Sequence, residues 1–365
     1  MAVTTVRERL DPAVFQLPVE RIRDGYYSDA YFTFSKEVLE GERHGPPVTM
    51  QVFQKKTSVL GGIDEAIAIL KLCSGHRRLH GSWEEGWSGL SVTALHEGDE
   101  IAPYEPVMHI EGDYSAFVHL ETVYLGCLAR RTLVMRNVKE VVEAAGGKTI
   151  LFFPARHDHW LVQTGDGWAA HVAGAIGVST DAQASWWGGK GMGTIPHGLI
   201  AAYGGSTVAA AEAFARRFAG EMNVVALVDF ENDSVRTSLE VADALGDKLW
   251  GVRLDTAGTI VDRALWSEMG GFDPTGVNPR LVERVRRALD EAGHERVKIV
   301  VSGGFDAERI RQFEALGAPV DSYGVGSALL RGENDFTADV VRVNGRDCAK
   351  TGRRYTHSDR LEPVE

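Results

Sequence analysis

A chain of 365 residues, 44% apolar and 25% charged, has the size and composition of a globular protein of two domains. Its formal charge of −12 argues against nucleic acid or an acidic membrane surface as partner, because both demand a basic face. No segment approaches the ~20 apolar residues of a membrane helix. Cys73, Cys127 and Cys348 make neither a zinc spacing nor a disulfide framework, so a reducing cytoplasm is expected. Arg7, Glu8, Arg9 and Asp11 precede any apolar run, and no signal peptide is expected.

In chain order, residues 48–114 read as short strands and turns. Val48–Phe53 and Ser91–Leu95 alternate, Pro106–Gly112 forms another short strand, and Ile63–Leu72 is an apolar helix between them. Phe117–Met135 carries apolar positions at helical spacing and serves as a bridge. The expectation is a smaller α+β or β-rich domain over residues 1–130, joined by a strand from the C-terminal segment 336–365.

From Thr149 the texture changes to strand–helix alternation. Thr149–Phe153, Val224–Asp229, Leu249–Leu254 and Lys298–Val301 are strand-like. Val208–Phe218, Ser234–Leu245 and Pro279–Ala292 are helical. Such alternation implies parallel strands with crossover helices, and the expected fold of residues 131–335 is an α/β, irregular TIM-like (β/α) barrel. Functional side chains then belong at the C-terminal strand ends.

Two glycine-rich turns follow the last strands, Ser302-Gly303-Gly304 and Gly324-Val325-Gly326-Ser327. Glycine lets the backbone approach a ligand closely, and free N–H groups before a helix favour negative charge, so a phosphate is expected here. Two other glycine runs fail as fingerprints. Gly189-Lys190-Gly191-Met192-Gly193 lacks the third glycine of a dinucleotide fold, and Gly147-Lys148-Thr149 has Val142 where a P-loop has its first glycine. His157, His159 and His171 lack the carboxylate or cysteine that would complete a metal site, and are expected as surface or supporting histidines. His197, in Gly193-Thr194-Ile195-Pro196-His197, is read either as a helix cap or as a reactive histidine. Arg253 and Asp255 share one face of their strand, read either as a salt bridge at the barrel rim or as an anion-binding guanidinium paired with a carboxylate that can accept sugar hydroxyls. Phe153 and Arg156 offer an aromatic platform and an anion fork.

Together with Ser28-Asp29-Ala30-Tyr31-Phe32, these pieces resemble the type II phosphoribosyltransferases, in particular their nicotinate-using branch, over nearly the whole chain. The resemblance implies formation of nicotinate mononucleotide and pyrophosphate from nicotinate and phosphoribosyl pyrophosphate, with Mg²⁺ and with ATP as co-substrate, in a homodimer or higher homo-oligomer. It implies that Tyr31, from the other subunit, and Phe153 sandwich the pyridine ring, and that Thr194 and Arg156 bind its carboxylate. Arg253, Ser302, Gly303, Gly304, Gly324, Gly326 and Ser327 would hold the ribose phosphate, Asp255 the ribose hydroxyls, and His197 would be phosphorylated by ATP. The chain departs from the family's common Phe-Gly-x-Arg-Arg with Phe153-Pro154-Ala155-Arg156-His157, and from its Asp-Thr with Asp229-Phe230. Asp181, in a context where nicotinamide-using relatives place an aspartate, keeps that substrate as an alternative beside quinolinate. A phosphate-binding barrel lyase or sensor is the remaining reading.

Overall fold

The computed structural model describes residues 7–365; the first six, where the smaller domain is expected to begin, lie outside the described residues. The chain divides into two compact units. One comprises residues 137–167 and 174–331; the other contains the described residues up to Arg136, Trp168–Ala173 and Gly332–Glu365.

The first unit is built on a six-stranded sheet in the order Val224–Leu227, Leu249–Leu254, Lys298–Val301, Ser322–Val325, Thr149–Phe152, Gly177–Val178. All five pairings are parallel. Parallel neighbours require crossovers, and the sequence starts several of the crossover helices with a side chain that accepts from a free N–H group. Ser206 Oγ accepts from Ala209 N–H (3.2 Å), Asn278 Oδ1 from Leu281 N–H (3.1 Å) and Asp306 Oδ1 from Arg309 N–H (2.9 Å). Pro279 then opens the helix Pro279–Glu291, where its missing N–H costs nothing. The ladder has six strands rather than the eight of a complete TIM barrel. Two further backbone bonds lie beyond it. Met192 N–H donates to Val178 O (2.7 Å) and Ile195 N–H to Val225 O (3.3 Å), so the irregular segment 192–195 touches both edge strands. Leu151, Val225 and Val300, from strands that are not sheet neighbours, pack into one apolar cluster.

The second unit holds a six-stranded antiparallel sheet in the order Arg346–Asp347, Thr337–Val343, Pro47–Phe53, Pro106–Asp113, Ser91–Ala94, Glu362–Pro363. The late strand Thr337–Val343 pairs with Pro47–Phe53, setting Val52 opposite Ala338. Its core gathers Met50, Val52, Ile110 and Val92 with Ile63, Ile67 and Leu70 of the helix Ile63–Cys73. The helix expected over Phe117–Met135 starts only at Glu121 and runs to Ala144; Val118–Leu120 forms a tighter 3-10 turn before it.

A buried carboxyl caps the helix Ile63–Cys73. Glu97 is 1% exposed and accepts from Gly62 N–H (3.1 Å) and Asp64 N–H (3.3 Å). Burial, reinforced by the charge of Asp64, pushes its pKa up to about 8. Since this folded value exceeds the unfolded one, the folded state keeps a proton that the unfolded chain releases. The contribution to stability is therefore complete below the ordinary carboxylate range and is lost as pH rises towards 8. Urea unfolding at pH 5 and pH 8.5 should show this decline in the wild type, and a distinctly smaller one in Glu97→Gln, whose neutral amide mimics the protonated acid. Equal declines in the two proteins would remove Glu97 as its source.

Candidate active site

The C-terminal ends of the parallel strands surround a cavity of about 650 Å³, a volume suited to a small-molecule substrate. Of the residues singled out from sequence, Phe153, Arg156, Thr194, His197, Arg253, Asp255, Ser302–Gly304, Gly324, Gly326 and Ser327 all line it. Tyr31 does not; it stands 60% exposed on the helix Ala30–Gly41 of the second unit.

The strand Leu249–Leu254 ends by aiming Arg253 and Asp255 at this space. Arg253 Nη1 donates to Thr194 Oγ1 (2.7 Å), while Nη2 lies 3.7 Å from Asp255 Oδ2. Asp255 Oδ1 accepts from Ser302 Oγ (2.7 Å), and Ser302 is itself seated by its N–H on Leu254 O (2.9 Å). Ser302 thus anchors one end of this chain of contacts to the strand Leu249–Leu254, and Thr194 stands at the other beside Ile195, which is bonded to Val225. Burial lowers the Arg253 pKa, opposed by the charges of Asp255 and Asp229. Its Nε is buried and has no partner, an unsatisfied donor at the cavity wall.

The glycine turns behave as their composition requires. Gly303 (φ 92°) and Gly304 (φ 81°) occupy the left-handed region, which admits glycine without strain. Arg309 Nη1 donates to the carbonyls of both (2.9 and 3.3 Å) and so holds the turn. Gly324 is needed for closeness: a Cβ there would lie 2.7 Å from Phe153 Cδ2 and Cε2, so the ring rests on bare backbone.

His197 opens the helix His197–Ala202 and caps nothing; the residue before it, Pro196, has no side-chain cap bond. Its Nε2 lies 3.1 Å from Asp229 Oδ1. The imidazole is half exposed, whereas the Asp229 side chain is 7% exposed. Burial raises the Asp229 pKa and Asp255 adds to this, with His197 opposing both. The stretch before His197 is irregular backbone.

His157, expected at the surface or in a supporting role, is exposed and also lines the cavity. Asp181 does not line it; its Oδ1 accepts from Gly191 N–H (2.8 Å), and Ser179 and Thr180 face the cavity instead. Asp229 and Arg331 were not singled out as site residues. The first is 32 positions from its partner His197, and the second follows a short apolar turn, so no local pattern reveals either. Among the described residues there is no cluster of three or more metal-ligating groups, and no lysine lines the cavity.

Parallel strands whose C-terminal ends gather glycine turns, a guanidinium and a carboxylate define an α/β protein with the elements of an anion-binding cavity. Residues 29–132 match the family described as quinolinate phosphoribosyl transferase, N-terminal domain. A nicotinate phosphoribosyltransferase of Mycobacterium tuberculosis is 30% identical over 250 residues, which are 67% of this chain and 51% of that protein. The chain spans about half the length of such curated relatives. The crystal structure of a nicotinate-nucleotide pyrophosphorylase from Pyrococcus furiosus superposes with a TM-score of 0.77 at 31% identity, covering 95% of this chain and 85% of that one. Human nicotinic acid phosphoribosyltransferase shares the fold, with a TM-score of 0.65 at 16% identity over 90% of this chain and 77% of that one. The chain belongs to the type II phosphoribosyltransferase family.

Proposed function

We propose that the protein transfers the phosphoribosyl group of phosphoribosyl pyrophosphate to the ring nitrogen of nicotinate, forming nicotinate mononucleotide and pyrophosphate for NAD salvage. The observation that carries this reading is the clamped Thr194–Arg253–Asp255–Ser302 chain in the same cavity as Phe153 and the two glycine turns. The turns receive the 5-phosphate, Asp255 faces the ribose hydroxyls, Phe153 stacks on the pyridine, and Arg156 with Thr194 receives its carboxylate. As the bond to pyrophosphate breaks, the ribose carbon becomes cationic, and the fixed Asp255 carboxylate stabilises that charge without reorganising. The two strand-edge bonds of segment 192–195 and the cluster of Leu151, Val225 and Val300 support a sheet that curls into an irregular barrel, closed by this segment.

Mg²⁺ fits the donor set as an ion carried in by the substrate: Asp229 and Asp255 offer hard carboxylate oxygens, too few for a protein cage. When bound it neutralises charge on the departing pyrophosphate. ATP is proposed to act through His197. With Asp229 ionised, Nε2–H donates to it and Nδ1 is left with the lone pair that attacks a phosphoryl group. In a homodimer, Tyr31 of one protomer would complete the other's pyridine site; its exposure supports this.

Quinolinate stays as the second reading, because the matched domain carries that description. Nicotinamide loses the support of Asp181, which is turned to Gly191. The absence of a cavity lysine, among the described residues, disfavours a Schiff-base lyase. Purified protein supplied with phosphoribosyl pyrophosphate, Mg²⁺ and each of the three pyridines should release pyrophosphate with nicotinate. Release with quinolinate alone would shift the assignment, and release with none would overturn it. The ATP role is tested separately: His197→Ala should abolish stimulation by ATP and phosphate incorporation into the protein while keeping basal transfer measurable. A full ATP response in that variant would remove the phosphohistidine.

A further inference from the structure

Two walls of the cavity arrive on separate pieces of chain. Phe153, Ala155 and Arg156 follow the strand Thr149–Phe152, and Ser179 and Thr180 follow the strand Gly177–Val178. The two strands are parallel neighbours, but their pairing stops at Phe152 opposite Val178. Beyond that point no ladder bond sets the spacing of the walls, and side chains must do so. Arg156 is exposed, so the backbone of its turn, rather than packing, sets where its guanidinium can reach.

Gln163 spans this gap. From the first turn of the helix Gln163–Val172 its Nε2 donates to Ala155 O (3.3 Å), and its Oε1 accepts from Thr180 Oγ1 (2.9 Å). A carbonyl oxygen can only accept, so the amide nitrogen faces Ala155 and the amide oxygen is left for the Thr180 hydroxyl. The far wall is fixed from within. Thr180 Oγ1 accepts from Gln183 N–H (3.1 Å), and Oε1 of the buried Gln183 accepts from the N–H groups of Ser179 and Thr180 (3.0 and 3.2 Å) and from Ser179 Oγ (3.1 Å). Gly167, one turn along the same face of the helix, lets it approach: a Cβ there would lie 2.1 Å from Gln183 O.

We propose that Gln163 is a positioning residue for the pyridine site, tying the Arg156 turn to the Ser179–Thr180 wall and so fixing where the guanidinium meets the ring carboxylate. This inference rests on the proposed transfer to nicotinate and adds a residue that touches no substrate. Loss of the tie lets the turn wander, which weakens pyridine binding and leaves the phosphoribosyl side of the cavity intact.

The test measures kcat and both KM values in the wild type, Gln163→Leu and Gln163→Glu. Leucine removes both hydrogen bonds, and ionised glutamate keeps the shape but cannot donate to Ala155 O. Nicotinate KM should rise about three- to tenfold in both variants, the worth of one or two net hydrogen bonds. The donor KM and kcat should stay within about twofold. An unchanged nicotinate KM, an equal rise in both KM values, or a wild-type value in the glutamate variant alone overturns the proposal. The same split for quinolinate, were that the pyridine used, supports the tie while moving the assignment of the base. Hydrogen exchange reads the tie without turnover: residues 153–160 and 179–184 should exchange faster in Gln163→Leu, with the strand Lys298–Val301 unchanged. Such loosening supports the tie even if no pyridine is a substrate. Exchange identical to wild type rejects it even if transfer to nicotinate is confirmed.

Discussion

Replacing Asp255 by alanine should lower kcat by about 10²- to 10³-fold, while the dissociation constant of nicotinate stays within about threefold. The carboxylate is held from two sides, by Ser302 Oγ at 2.7 Å and by Arg253 Nη2 at 3.7 Å, so it waits in place for a positive charge that exists only in the transition state. An interaction realised there and not in the ground state alters kcat rather than binding. Removing it also strips a counter-charge from the largely buried Arg253 guanidinium, whose resettling would add to the loss. Asp255→Asn keeps an acceptor for Ser302 and removes the charge alone, so it separates loss of charge, at the reacting centre and beside Arg253, from loss of the hydrogen bond and side-chain volume. Rapid-quench measurement of a single turnover, beside equilibrium binding of nicotinate, is the appropriate pair of assays. A kcat that survives Asp255→Ala would deny the carboxylate its part in the chemistry.

A second large effect is expected from Gly324→Val, and on the other kinetic constant. The site of the new Cβ lies 2.7 Å from two Phe153 ring carbons and 3.3 Å from Ser302 Cβ. The aromatic ring must swing away, because the glycine belongs to a strand paired on both sides and its backbone has little room to yield. Nicotinate KM should rise by about two- to tenfold, the value of a lost ring stack, with overpacking costing ~1–3 kcal/mol of stability. Gly324→Ala should lie between valine and wild type. Retained near-ultraviolet circular dichroism together with raised KM would show displacement of the ring rather than unfolding. Normal nicotinate KM in a folded valine variant would mean that Phe153 is not the pyridine platform.

These two residues also show how far the chain can be read without coordinates. The strand Leu249–Leu254 and the pairing of faces at Arg253 and Asp255 follow from local periodicity, and the structure brings both into the cavity. The glycine turns were legible for the same reason: Gly303 and Gly304 mark a backbone conformation that other residues adopt only under strain. Gly324 was read as part of a phosphate turn, and its role beneath Phe153 could not be read, since the ring comes from a strand more than 170 positions earlier. Asp229 was visible as the end of a strand but not as the partner of His197. His157 was read as a surface or supporting histidine because no carboxylate or cysteine completes a metal site; it is exposed, and only the turn Ala155–His157 shows that it comes close to Gly326.

What the sequence by itself determined is therefore the succession of strands and helices, the glycine conformations and the strand-end positions of the chemistry-bearing side chains. Each of these depends on steric and hydrophobic preferences that act within a few residues. Only the tertiary structure decided which strand ends are neighbours, that the parallel ladder has six members with segment 192–195 touching both its edges, that His157 lines the cavity, and that Asp229 meets His197 while Asp181 turns to Gly191. Those outcomes depend on the order of strands in the sheet and on side chains meeting from distant positions, and such meetings leave no periodic trace along the chain.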